Sequence, residues 1–292
     1  VLDNAGKPMN DQLVEWLFKH PLSDGGTFCG VQDAVMKYGL VPAEVMPESY
    51  NANNTSRMSA IITLKLREYG LELRKAVADG KKKSAIEARK IEMLSTVYRI
   101  LASCLGEPPT KFTYTMKDAA GKPISTKEYT PMSFYEEYVG ADLRGNYVML
   151  MNDPSRPYNK TYTIDMDRHS YDGEQWTFVN LPMEDIKEMA IASIKDSTMM
   201  YYSCDIGQCY NSKTGVLSLD NYDYASLFNT DFPMNKAERI STFASASSHA
   251  MTLMAVDLDE NGKPKKWMVE NSWGPTSGYK GHLIMTDEWF DA

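Results

Sequence analysis

The chain has 292 residues, enough to bury a large core without disulfide or metal staples, and its length fits one large or two modest domains. Acidic residues outnumber basic ones 39 to 31, a formal charge of −8, and the basic residues are dispersed apart from Lys81, Lys82 and Lys83. This balance gives no electrostatic case for a nucleic-acid partner, and the longest apolar runs, such as "VMLM" from Val148, fall far short of the ~20 residues of a membrane helix.

The first residue is Val1, followed at once by "DNAGKPMND", so no signal peptide is visible and the chain reads as processed or as a piece of a longer one. Cys29, Cys104, Cys204 and Cys209 do not form a disulfide framework, and no pair has Cys-x-x-Cys spacing. They read mostly as buried thiols. His20, His169, His249 and His282 are not at helix-face spacing from one another, so no metal site is expected and no cofactor is implied.

In chain order, Leu13, Val14, Trp16, Leu17 and Phe18 predict a short helix over 10–19, closed by "PLSDGG". "VQDAVMKYG" predicts a second helix stopped by Gly39, and the two prolines of "LVPAEVMPES" impose extended or turn backbone. From Thr55 to Leu105 long helix formers dominate. Ile61, Leu64, Tyr69, Leu71 and Leu73, then Ile86, Ile91, Leu94, Val97 and Leu101, recur at roughly helical intervals on either side of "DGKKKS". This predicts a helical hairpin packed through that apolar stripe and ended by Gly106 and Pro108-Pro109.

The remainder reads as mostly β with short helices. "KFTYTM" and "ISTKEYT" flank the turn sequence "KDAAGKP". "TPMSFYEEYV" has a threonine cap, and "PMEDIKEMAIASIKD" is helical in pattern. "TMMYYSCDI", "HAMTLMAVDLD", "KWMVENS" and "GHLIMTD" predict strands, with "DENGKP" as a tight turn between the second and third. That hairpin would set His249, at the start of one strand, near Asn271, at the end of the next. A side-chain amide oxygen there would accept from one imidazole N–H, fixing the ring so that its other nitrogen faces a nucleophile, and Trp273 could shield the bond from water. The structural alternative is a satisfied strand-end histidine beside a turn-forming asparagine.

Asn-Ser-Trp-Gly favours the first reading. "VENSWG" with "HAMTLMAV" upstream resembles the right-hand wall of papain-like cysteine peptidases, and "SDGGTFCGVQDAVMKYGLVPAEVMPES" resembles the paired glycines and helix of the opposite wall. "MPESYNANNTSRM", "LREYGLELRK", "CLGEPPTKFTY", "NDPSRPYNKTYTID", "SCDIGQCYNSKTGVLSLDNYDY" and "MNKAERIS" extend the resemblance over nearly the whole chain, to the branch containing bleomycin hydrolase and bacterial aminopeptidase C.

The resemblance implies an α+β, papain-like two-domain fold, partial here, with an inserted helical domain. Residues 1–50 would be the remainder of the left, helix-rich domain, 51–110 the inserted hairpin, and 111–292 the β-rich right domain carrying His249 and Asn271. It implies a cysteine aminopeptidase acting on peptides, His249 as general base and acid, Asn271 orienting it with Trp273 in support, and Asp24, Gly25 and Gly26 holding substrate. Two adjacent glycines also read as an ordinary helix-ending turn. Members of the branch are homohexameric and cytoplasmic, although a signal peptide upstream of Val1 would alter the compartment.

The nucleophile segment of the family, a glutamine followed by Cys-Trp, matches nothing here, and neither does its C-terminal tail. No nucleophile is therefore expected within this chain, which would be an inactive internal fragment. The alternative is a non-catalytic peptide-binding or scaffolding homologue that has lost the nucleophile. Cys209, after Gln208, has the wrong spacing for a replacement. Cys29 stands in "DGGTFC" where the branch usually has "DGGQWD", a position near substrate side chains rather than the scissile carbonyl.

Overall fold

The structure is a computed structural model that describes every residue except Asp24. The chain divides into two compact units, Val1–Gly26 with Gly30–Gly145, and Thr27–Cys29 with Asn146–Ala292.

The first unit is mainly helical. α1 (Gln12–Lys19) starts where the Asp11 carboxylate accepts from the N–H groups of Leu13 and Val14, and its buried Val14 faces inward. α2 (Phe28–Tyr38) begins three residues before the expected helix and ends at Gly39, whose φ of +78° and close approach to the Pro131 backbone both require glycine. The short α3 (Tyr50–Asn53) is tied to a distant carbonyl, Cys104 O, through Ser49 Oγ at 2.8 Å. α4 (Ser56–Ala78) and α5 (Lys83–Leu105) form the expected hairpin, joined around Gly80. Arg67 donates to the Phe18 and Lys19 carbonyls and Arg74 to that of Asn4, so α4 clamps the N-terminal region. β1 (Phe112–Lys117) and β2 (Pro123–Tyr129) pair antiparallel, and α6 (Pro131–Tyr138) follows behind a Thr130–Ser133 capping box. Asp33, only 3% exposed, accepts from Arg144 at 2.6 Å.

The packed stripe expected for the hairpin needs correction. Leu73 is buried as expected, but Ile61, Leu64, Leu71, Ile91 and Leu94 are exposed, and Met58, Ile62, Gly70 and Met93 are the other buried positions. Both helices carry apolar side chains on more than one face. A 3.6-residue period marks each such face without telling which one meets a partner.

The second unit contains two sheets. β3 (Met149–Met151), β4 (Lys160–Thr163) and β5 (Thr177–Asn180) form the smaller, in the order β3-β5-β4, with β3 parallel and β4 antiparallel to β5. The fully buried Asn180 organises the preceding loop: its Oδ1 accepts from Asp153 N, and its Nδ2 donates to the carbonyls of Asp153, Arg156 and Pro157. After α7 (Met183–Lys195) come β6 (Met200–Cys204), β7 (Tyr210–Asn211), β8 (Val216–Leu217), α8 (Tyr224–Phe228), α9 (Lys236–Ser241), β9 (His249–Leu258), β10 (Pro264–Glu270), β11 (His282–Thr286) and α10 (Asp287–Asp291). The larger sheet runs β6-β9-β10-β11-β8-β7, antiparallel throughout except for the β11–β8 pair.

Its core holds Leu217, Trp267, Val269, Leu283 and Met285, with Trp289 and Phe290 of α10 against it. Trp267 stacks on Phe290 at 4.7 Å and donates from Nε1 to Asp287 Oδ1 at 2.9 Å, so its single polar atom is satisfied inside an apolar cluster. Lys187, ion-paired with Asp287 and Asp291, ties α7 to α10. This cluster fixes β9 and β10, the two strands that carry the site.

Candidate active site

The geometry of the site follows from the register of β9 on β10. Near the turn, Trp267 pairs with Val256, and that register run on would set His249 opposite Gly274. A one-residue shift between Met268 and Val269 changes the pairing to Val269 with Leu253 and Glu270 with Thr252. Continued past the strand end, this second register brings Trp273 opposite His249, with Asn271 two residues before it on the same face.

Side chains meet accordingly. His249 Nε2 lies 2.8 Å from Asn271 Oδ1. An amide oxygen only accepts, so Nε2 carries the hydrogen and the Nδ1 lone pair is left to take a proton. Among the described residues Nδ1 has no hydrogen-bond partner, thiol or otherwise. The Trp273 ring stacks on the imidazole, with centroids 4.8 Å apart and planes inclined by 29°. The indole is 45% exposed, so it covers the His249–Asn271 bond from one side only.

Asn271 is 6% exposed, and its N–H donates to Gly281 O at 2.8 Å. That carbonyl is delivered by the 274–281 loop. There Gly278, at φ +57°, approaches the His282 backbone so closely that no β-carbon would fit. Asn271 Nδ2 is buried and has no partner among the described residues. On the other side of β9, Ser203 Oγ donates to His249 O at 3.2 Å. A depression of about 400 Å³ adjoins the pair, lined by Tyr201, Ala250, Thr252, Glu270 and Asn271.

The structure thus brings His249, Asn271 and Trp273 together. Gly25 and Gly26 belong to the first unit, exposed and outside any regular element ahead of α2. Gly26 has no left-handed φ, and a β-carbon there would meet nothing within 4 Å, so local backbone strain gives no reason for glycine at that position. Asp24 lies outside the described residues.

The cysteines occupy four different settings. Cys29, 6% exposed, has its Sγ 3.1 Å from Thr27 Oγ1, which in turn lies 2.9 Å from His169 Nε2. Nothing in the sequence signals this pairing of residues 142 positions apart. Burial pushes the Cys204 thiol up to about 12, which leaves it protonated and unreactive. Cys209 adopts a φ of +53° and packs against the core, while Cys104 offers its carbonyl to α3. Among the described residues no group of three or more His, Cys, Asp or Glu side chains could hold a metal ion, and no helix is long and apolar enough to cross a membrane.

A histidine whose Nε2 is held by an asparagine, beside a tryptophan, leaves its other nitrogen able to take up and return a proton. The Peptidase C1-like family profile matches residues 1–292, and the chain belongs to that family. It is 38% identical over 293 residues to aminopeptidase C of Lactobacillus delbrueckii subsp. lactis, covering 100% of this chain and 65% of that protein. It is likewise 38% identical over 291 residues to human bleomycin hydrolase, covering 97% and 64%. The crystal structure of PepW from Lactobacillus rhamnosis HN001 superposes with a TM-score of 0.96 at 39% identity, over 99% of this chain and 65% of that one. The α+β, papain-like class expected from the sequence therefore holds, and the chain spans about 65% of the length of these relatives.

Proposed function

We propose that this chain is the proton-transfer and orienting part of a cysteine aminopeptidase that removes N-terminal residues from peptides. The observation that carries this reading is the His249–Asn271 hydrogen bond, which occupies Nε2 and leaves Nδ1 clear. Nδ1 takes the proton of a cysteine thiol, giving a thiolate–imidazolium pair. The thiolate attacks the scissile carbonyl, and His249 returns the proton to the departing amine. Asn271 accepts from Nε2–H throughout and so stabilises the imidazolium, while Trp273 limits access of water to that bond.

The thiol comes from outside these 292 residues. In support, none of Cys29, Cys104, Cys204 and Cys209 is hydrogen-bonded to the His249 ring among the described residues. Asp24, Gly25 and Gly26 hold the substrate, the glycines by pairing with its backbone. Gly26, with no left-handed φ and open space where a β-carbon would stand, supports this role over that of a helix-ending turn.

The reading extends to assembly and compartment. The exposed Ile61, Leu64, Leu71, Ile91 and Leu94 of the α4–α5 hairpin support self-association, to a homohexamer as in the branch it resembles. Four thiols with no disulfide among them fit a cytoplasmic setting. The test is hydrolysis of aminoacyl fluorogenic substrates, with labelling by an epoxysuccinyl inhibitor. The 292-residue chain alone gives neither turnover nor adduct. A longer protein carrying the upstream segment gives both, and His249→Ala in it abolishes turnover. A longer protein with neither would leave a peptide-binding scaffold instead, and an adduct on Cys29 or Cys209 with turnover would overturn the assignment of the nucleophile.

A further inference from the structure

The stretch "SCDIGQCYNS" contributes more to the site than its two thiols. Cys209 holds a non-glycine residue in left-handed backbone, at φ +53°, and β7 starts immediately after it with Tyr210. Such a bend persists only where its surroundings fix it. Here Asn221 Nδ2 donates to Cys209 O at 2.7 Å and to Val216 O at 2.9 Å, and Tyr222 Oη donates to Tyr210 O at 3.0 Å. Both Cys209 and Tyr210 also pack against the core of the larger sheet.

The product of this anchoring is the direction of one ring. Tyr210 meets Trp273 with centroids 5.8 Å apart and planes inclined by 56°, within the range of favourable aromatic contacts. Trp273 in turn lies over His249. The indole follows the last paired residue of β10 by three positions and is nearly half exposed, so β-sheet pairing does not hold its rotamer. The ring of Tyr210, by contrast, stands on a segment pinned by two side-chain hydrogen bonds, from Asn221 and Tyr222, and by the core.

We propose that Tyr210 is a positioning residue of this site, its ring holding the Trp273 indole in the stacked position and thereby keeping the His249–Asn271 hydrogen bond covered. Its catalytic meaning rests on His249 being the general base, while the geometry can be tested without that. The ring, not the hydroxyl, is what acts: Tyr210→Phe preserves the arrangement, and Tyr210→Leu, which keeps apolar packing, loses it.

The experiment is NMR on the 292-residue chain carrying isotope-labelled histidine. In the wild type the carbon-bound imidazole protons of His249 are displaced upfield by the indole ring current, and its Nε2–H exchanges slowly with water. Tyr210→Phe retains both signatures. Tyr210→Leu loses most of the displacement and exchanges faster, while His20, His169 and His282 keep their shifts. Unchanged His249 signals in a folded Tyr210→Leu protein overturn the proposal. If Tyr210→Leu does not fold, the wild type decides: nuclear Overhauser contacts from Tyr210 to the indole and from the indole to His249 support it, and their absence overturns it. Failure of the general-base reading shows elsewhere, as turnover retained by His249→Ala in a cysteine-bearing protein.

Discussion

Asn271→Ala separates what this residue does for folding from what it does for chemistry. In the folded protein the side chain makes one hydrogen bond, from His249 Nε2–H to Oδ1 at 2.8 Å, and buries an amide group whose Nδ2 has no partner among the described residues. A neutral hydrogen bond contributes about 1 kcal/mol net, whereas a buried unpaired donor costs about 1–3 kcal/mol. Truncation to alanine removes both, so on these terms the folding free energy should be unchanged or should favour the folded state by up to about 2 kcal/mol. Catalysis weighs the same bond differently. In the proposed reaction, with the thiol proton on His249, Oδ1 would accept from a cation, a bond worth about 1.5–3 kcal/mol. Losing it in the transition state lowers kcat/KM by about ten- to a hundredfold. Urea denaturation of the 292-residue chain measures the first quantity, and turnover of aminoacyl substrates by the cysteine-bearing protein measures the second. A variant destabilised by more than about 2 kcal/mol but with normal kcat/KM per folded molecule would refute the reasoning and make Asn271 a structural residue.

Three further outcomes follow from the structure. Asp33→Ala removes a nearly fully buried carboxylate that accepts from Arg144, whose side chain is 38% exposed and stays solvated, so it should lower stability by about 1–3 kcal/mol in urea denaturation; a loss below about 0.5 kcal/mol would mean the pair is incidental. Lys236 is held down at about 8, mainly by burial, with Arg239 and Lys187 adding to the depression and Asp291 opposing it. Its folded value lies below the usual 10.5, so the unfolded chain binds more protons between those limits and this group's contribution to stability rises with pH across them. The stability of the wild type relative to Lys236→Met should climb from pH 7 to 10 by up to about 3 kcal/mol, and a flat difference would count against the depressed value. Cys204, pushed up to about 12, has roughly one thiol in ten thousand ionised at pH 8. Iodoacetamide should therefore leave it unlabelled in the native chain and label it after denaturation, as read by peptide mass spectrometry; rapid native labelling would show that the thiol is accessible and ionised.

The elements legible in the sequence are those decided by neighbours a few residues apart. Thr130 before Pro131 announces α6, and Asp259 through Lys263 turns β9 into β10, with Asp259 Oδ1 accepting from the Asn261 and Lys263 N–H groups. What escaped notice depends on distant partners. β3, β4 and β5 are each three or four residues long, and the outer pair meets only through β5. The parallel β11–β8 pairing joins segments some 70 positions apart, and the Thr27–His169 and Tyr210–Trp273 contacts have no local signature either.

The active-site pair is an instructive mixture of the two. A single hairpin connects His249 and Asn271, so their proximity was readable. Their facing the same way was not, because it rests on a bulge. Along β10 the inward residues alternate without interruption, Trp267 and Val269 and then Asn271. Along β9 the phase changes: Met251 and Leu253 are buried, yet the next residue against the core is Val256, three positions on rather than two. The break falls within "LMAV", where every side chain is apolar, so alternation of polar and apolar residues cannot display it. Were Met254 paired rather than bulged, the strand's inward phase would reach Ala250 and leave His249 on the opposite face from Asn271. The motif Asn-Ser-Trp-Gly implied the pairing. The physical cause is one unpaired residue near the middle of β9: deletion of Met254 should close the bulge, keep His249 to Leu253 opposite their present partners and so leave the imidazole on Asn271 with the turn at Asp259–Lys263 intact, and a ring displaced from Asn271 would refute this account.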